Sequence, residues 1–114
     1  MKWLNKFRYA FEGLIYGFKQ PSVILQVFLA IVAIVVFYVI KISWVEWMIV
    51  LVMIALVILC EWINCIVEMT VNYISTEIHP QAKRIKDLSA GLVLLSGLFA
   101  FIVGVIILFI NLKK

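Results

Sequence analysis

Apolar residues fall into three long runs, Val23 to Ile40, Trp47 to Val71 and Leu88 to Ile110. A helix needs about 20 apolar residues to cross a hydrocarbon core of about 30 Å, and each run is of that order. Upstream the pattern changes. Trp3, Leu4, Phe7, Ala10, Phe11, Leu14, Ile15 and Phe18 recur at helical spacing, while Lys2, Lys6, Arg8, Glu12 and Lys19 take other positions. That alternation predicts an amphipathic helix lying in the membrane interface. Pro21 then breaks the helix and turns the chain into the first span. The pattern as a whole predicts an all-α integral membrane domain: a surface helix over 2–19, transmembrane helices over 22–41, 45–72 and 85–112, and a cytoplasmic connection over 73–84.

The second run is not uniformly apolar. At about 100° per residue, Glu61, Asn64, Glu68 and Asn72 fall within an arc of roughly 80°, a polar stripe about 16 Å long on one helix face. An ionised carboxylate in a bilayer costs about 3 to well over 10 kcal/mol, so the stripe must face protein or a water-filled site rather than lipid.

Charge settles the expected orientation. Lys2, Lys6, Arg8 and Lys19 precede the first span and Lys83, Arg84 and Lys86 lie between the second and third, whereas the first connection carries only Lys41. The positive-inside rule puts the N-terminus and the second connection in the cytoplasm. Lys113 and Lys114 at the opposite end run mildly against this. Trp44 and Trp47 stand where an outer aromatic belt belongs, with Trp62 and Tyr73 towards the inner face. The net charge of +4 is accounted for by this topology and by attraction to anionic lipid, and nothing in it calls for nucleic acid. With 67% hydrophobic and 14% charged residues in 114, the chain has too little polar covering for a soluble core. The first apolar run starts late and lacks a small-residue cleavage pattern, against a cleaved signal peptide.

The remaining candidates are modest. Cys60 and Cys65 are about 140° apart on a helix and cannot comfortably bridge, so they read as packing residues. His79, beside Pro80, reads as a structural hydrogen bonder. Ser89, Ser96, Ala100 and Gly104 give the third span one face of small side chains, the kind that lets helices approach closely in a bundle or oligomer.

Together the polar residues supply acids able to hold Mg²⁺, an amide to orient them and a lysine for phosphate oxygens, the parts phosphoryl transfer needs. There is no Gly-x-x-x-x-Gly-Lys loop and no kinase-type glycine loop. Pattern alone leaves two readings open: an enzyme acting on a lipid at the interface, or an ion or proton pathway through Glu61 and Glu68.

The run from Glu61 to Asn72, E-W-I-N-C-I-V-E-M-T-V-N, followed by I-S-T-E-I-H-P-Q-A-K-R-I-K-D-L-S-A-G, resembles the signature of the small bacterial diacylglycerol kinase and undecaprenol kinase family. Phe7, Ala10 and Gly13 are similar in spacing to that family's surface helix, and the block from His79 to Asp87 most resembles the undecaprenol kinase branch. The resemblance implies a surface helix and three transmembrane helices assembled as a homotrimer, with active sites shared between subunits. It implies a multi-pass protein of the bacterial inner or plasma membrane that moves the γ-phosphoryl group of ATP, with Mg²⁺, to a lipid alcohol. That alcohol is undecaprenol, with diacylglycerol the alternative. By the same resemblance Glu61 is the base for the lipid hydroxyl, supported by Asn64, and Glu68 is the Mg²⁺ ligand. Lys86 contacts ATP phosphates with Asp87 beside it, and Glu77 and Asn72 stand on the nucleotide side.

The chain departs from the family pattern at three places. Asn72 stands where the family has Asp, Gln20-Pro21-Ser22 stands where a second metal-binding Glu is expected, and Cys65 and Val67 alter the middle of the first block. These changes keep a degenerate, non-catalytic member among the alternatives.

Overall fold

The computed structural model describes residues 2–74 and 79–113. Four helices follow one another: α1 (Lys2–Phe18), α2 (Pro21–Ile40), α3 (Trp44–Ile74) and α4 (Pro80–Leu112). The last three are long and apolar enough to cross a membrane. Most of their large apolar side chains are exposed in the single chain, among them Phe28, Leu51 and Phe101. That is the expected surface of a protein whose solvent is lipid.

The helix boundaries follow from local chemistry. α1 closes with short backbone bonds from Lys19 N–H to the Tyr16 carbonyl (3.2 Å) and from Gln20 N–H to the Gly17 carbonyl (3.1 Å). Pro21 then opens α2 at its first position, where a missing N–H costs nothing. α4 begins in the same way, with His79 extended (φ −113°, ψ 135°) before Pro80. The expected connection over 73–84 is therefore shortened at both ends, because α3 runs on through Ile74 and α4 starts at Pro80 rather than 85. The charged stretch Lys83 to Asp87 forms good helix once proline has set the first turn. Glu77 lies outside the described residues.

The turn between α2 and α3 is built from three devices in succession. Lys41 adopts the left-handed conformation (φ 59°, ψ 62°), with its N–H directed at the Phe37 and Tyr38 carbonyls. Ile42 N–H reaches the Phe37 carbonyl at 3.4 Å. Together these make a Schellman motif, whose apolar contact is supplied by Ile42 and Phe37 in the same buried cluster. Ser43 and Glu46 then form a capping box: Ser43 Oγ accepts from Glu46 N–H at 3.2 Å, and Glu46 Oε1 accepts from Ser43 N–H at 2.9 Å. Trp47 packs against the Ile42 cluster as a hydrophobic staple.

α3 and α4 form the main antiparallel pair, held by polar contacts near both ends. Near the start of α3 Asn111 Nδ2 donates to Glu46 Oε2 at 3.0 Å, so the capping acid also reaches the last turn of α4. Further along α3 Ser89 Oγ donates to Asn64 Oδ1 at 2.6 Å. Between them α2 leans on the pair through Phe37, whose ring lies 3.8 Å from where a Cβ on Gly104 would stand. The small face of α4 does not make a tight seam here. Gly97, Ala100 and Gly104 instead line a cavity of about 440 Å³ between α2, α3 and α4. Gln26 is the sole polar side chain on its wall.

A non-glycine residue in the left-handed region carries a backbone cost of about 1–2 kcal/mol, partly offset in a glycine variant by glycine's extra unfolded-state entropy. Lys41→Gly is expected to raise stability by up to about 1 kcal/mol, and β-branched Lys41→Val to lower it. Unfolding midpoints in detergent check both signs.

Candidate active site

α3 turns its polar stripe into the angle between α4 and the α1–α2 elbow. Glu61 and Asn64 are buried, at 6% and 9% exposure, while Glu68 and Asn72 are exposed towards the C-terminal end of α3. A single network orders the buried part. Ser89 has one hydroxyl proton, and both Asn64 Oδ1 (2.6 Å) and the Lys86 carbonyl (3.0 Å) accept from its oxygen position. With Oδ1 turned to Ser89, the Asn64 amide nitrogen faces Glu68 and donates to its Oε1 at 3.4 Å. The reverse orientation would set two acceptor oxygens against each other at Glu68. The acceptor-only Glu68 carboxylate thus decides which end of the Asn64 amide faces it, and Ser89 on α4 donates to the oxygen at the other end.

One turn further along α3, Lys86 Nζ donates to Asn72 Oδ1 at 2.6 Å. An amide holds the ammonium in place without cancelling its charge, as an aspartate would. Asp87 is not part of this group. It lies about 100° round α4 from Lys86 and is paired with Lys83 at 2.7 Å on an exposed face. The structure therefore brings together Glu61, Asn64, Glu68, Asn72 and Lys86, with Asp87 apart.

The opposite wall is the elbow. Trp62 and Cys65 flank Glu61 on the side away from Asn64. The Trp62 ring meets Phe18 edge-on at 5.0 Å and 83°. Cys65 Sγ lies 3.5 Å from Ser22 Oγ at the start of α2. Trp62 is thus a packing residue of the elbow rather than a belt residue. Both cysteines are free thiols. Glu61 and Glu68 thus lie on the α3 face between α4 and the elbow, about 10 Å apart along the helix axis, the first buried and the second exposed. Glu61 makes no hydrogen bond or ion pair among the described residues.

The described residues contain no group of three or more His, Cys, Asp or Glu side chains that could enclose a metal ion by themselves. Mg²⁺ does not need such a cage: it keeps several waters and is usually held by one or two carboxylates together with substrate phosphates. Exposed Glu68, near Lys86, fits that requirement.

The sequence profile described as Prokaryotic diacylglycerol kinase matches residues 8–108, from the surface helix to the last turns of α4. The chain belongs to this family. It is also similar to the undecaprenol kinase of Bacillus subtilis (strain 168), at 34% identity over 70 residues. That match covers 61% of this chain and 57% of the relative.

The contributions of three residues escaped the sequence reading. Ser89 registers there only as a small residue, yet its position three after Lys86 places both on one face of α4, which was the available signal. Ser22 and Gly17 carried no signal, because their partners lie on α3, far away in sequence.

Interhelical hydrogen bonds in membranes contribute about 0.6 kcal/mol on average and up to about 1.7. Ser89→Ala removes one and leaves the buried Asn64 oxygen without its donor, so a loss of about 1 kcal/mol is expected. Unfolding titrations in mixed micelles measure it, and an unchanged midpoint would show that Ser89 does not hold Asn64.

Proposed function

We propose that this protein is an ATP- and Mg²⁺-dependent lipid kinase of the cytoplasmic membrane leaflet, with undecaprenol as acceptor. The observation that carries the reading is the order of burial along this face of α3. Glu61, buried and unpaired among the described residues, is the carboxylate that would meet a lipid hydroxyl, and Lys86, with only the neutral Asn72 as partner among the described residues, is the ammonium that would meet phosphate. Family membership and the undecaprenol kinase relative support the same chemistry.

In this mechanism Glu61 accepts a hydrogen bond from the lipid hydroxyl, aligns its oxygen for attack and takes up its proton as the bond to the γ-phosphorus of ATP forms and that from the γ-phosphorus to the bridging oxygen breaks, releasing ADP. Phosphoryl transfer demands little covalent chemistry from the protein, so positioning and charge dominate. Asn64, fixed by Ser89, keeps the Glu68 carboxylate oriented. Lys86, held by Asn72, places its charge on the phosphate oxygens. When bound, Mg²⁺ supplies neutralisation of the developing phosphate charge, and Glu68 is the residue that would hold it together with the nucleotide. Asp87, paired with Lys83, has no direct part in this scheme, and Glu77 is assigned to the nucleotide side by the resemblance.

The choice of acceptor rests on polar satisfaction. Side-chain donors on the helices around Glu61 are already engaged: the Asn64 amide with Glu68, the Ser89 hydroxyl with Asn64, and Ser22 with Cys65. Diacylglycerol brings two ester carbonyls that would need donors, whereas a polyprenol brings one hydroxyl. The one-sided site of the single chain, with Glu68 and Asn72 exposed, supports a homotrimer in which a neighbouring copy closes it. The N-terminus is cytoplasmic in this arrangement, following the positive-inside rule.

Glu61→Gln is expected to lower kcat by about 10² or more while the protein stays folded. Purified protein with radiolabelled ATP and undecaprenol, diacylglycerol or ceramide in mixed micelles measures this. Higher kcat/KM for diacylglycerol would reverse the choice of acceptor, and ion flux in liposomes without phosphorylated lipid would replace the kinase by a conduction pathway. Asn72→Asp is expected to lower the Mg²⁺ concentration needed for half-maximal rate, since it adds a carboxylate one turn from Glu68, and to raise KM for ATP, since the same carboxylate pairs with Lys86. A flat response would remove position 72 from the metal side.

A further inference from the structure

We propose that the α1–α2 elbow is docked on α3 through a glycine-for-indole contact, and that this docking sets how closely the elbow covers Glu61. Gly17 is the positioning residue. It is the one buried residue of α1, in a helix otherwise exposed along its length. A Cβ built on Gly17 would overlap Cζ2, Cη2 and Cε2 of the Trp62 indole, closer than real Cβ contacts come. No other glycine among the described residues has this property: Gly13, Gly91 and Gly97 have open space at the same point, and Gly104 has an ordinary contact.

The rest of the elbow locks this contact in place. The Gly17 carbonyl accepts from Gln20 N–H at 3.1 Å, and Pro21 fixes the next φ. Gln20 Nε2 reaches back to the Tyr16 carbonyl at 3.5 Å. Phe18 closes on the edge of the same indole, and one turn further along α3 Ser22 meets Cys65. Trp62 directly follows Glu61, so the ring that receives Gly17 and the Glu61 carboxylate share one helical turn. A methyl group at position 17 must push the elbow outward or swing the indole away. Either movement changes the gap through which a lipid hydroxyl reaches Glu61, while leaving Lys86 and Asn72 on the far side untouched.

This inference rests on the lipid kinase reading for its consequence, but the docking is measurable without any turnover. In full-length protein in liposomes with Cys60→Ala, Ser22→Cys faces the native Cys65, and mild oxidation with measurement of the remaining free thiols reports how often the elbow is docked. Cross-linking is expected to be fast with Gly17, about tenfold slower with Gly17→Ala, and restored when Trp62→Leu is added to remove the obstructing ring. In the matching kinase assay, without the cysteine changes, Gly17→Ala is expected to raise KM for undecaprenol about tenfold and leave KM for ATP unchanged. Adding Trp62→Leu should bring KM back to that of Trp62→Leu alone. Equal cross-linking rates for Gly17 and Gly17→Ala, or failure of Trp62→Leu to restore them, overturn the docking. A parallel rise in both KM values overturns the positioning role. If the parent shows docking but no lipid phosphorylation, the kinase reading fails and the docking stands.

Discussion

The arrangement depends on one constraint: polar groups carried into a membrane must find their partners inside the protein. On α3 the constraint is met by the hydroxyl of Ser89, which engages Asn64 across the interface with α4. That bond, with the Glu46–Asn111 contact at the other end, sets the register of the two longest helices. In a bilayer apolar side chains discriminate poorly between one register and another, because lipid solvates them as well as a neighbouring helix does. The polar pairs supply that discrimination. One buried acceptor, Asn111 Oδ1, has no partner among the described residues.

The same network orders the site by burial. Asn64 spends its two polar ends on Ser89 and Glu68, leaving Glu61 as the buried carboxylate without a fixed partner. A group in that state is costly to hold and available for chemistry, which is why it supports a role as base in the proposed kinase. Lys86 shows the complementary device. Its neutral partner Asn72 restrains the side chain while leaving its positive charge uncancelled.

Across from α4 the elbow contributes shape rather than charge. A glycine beneath an indole allows the surface helix, otherwise anchored only by the interface, to take a fixed place against α3. The membrane-surface segment and the buried carboxylate are thereby coupled through a few atoms of packing. The opposite half of the bundle is looser, with its cavity beside Gly97, Ala100 and Gly104.

The sequence by itself determined the helices and the stripe. Apolar run lengths mark three spans, amphipathic spacing marks α1, and the 80° arc from Glu61 to Asn72 follows from local periodicity alone. Pro21 and Pro80 mark helix starts, although the extension of α4 back to Pro80 was hidden by the charged residues that follow it. Tertiary structure decided which side chains meet. Lys86 and Asp87 are neighbours in the chain but point about 100° apart, so one joins the stripe and the other pairs with Lys83. Ser89, Gly17 and Ser22 acquire their meaning only from partners 25 to 45 residues away on α3. The reason is physical: periodicity reports which face of a helix a residue occupies, whereas the partner on that face is chosen by the register and tilt of another helix.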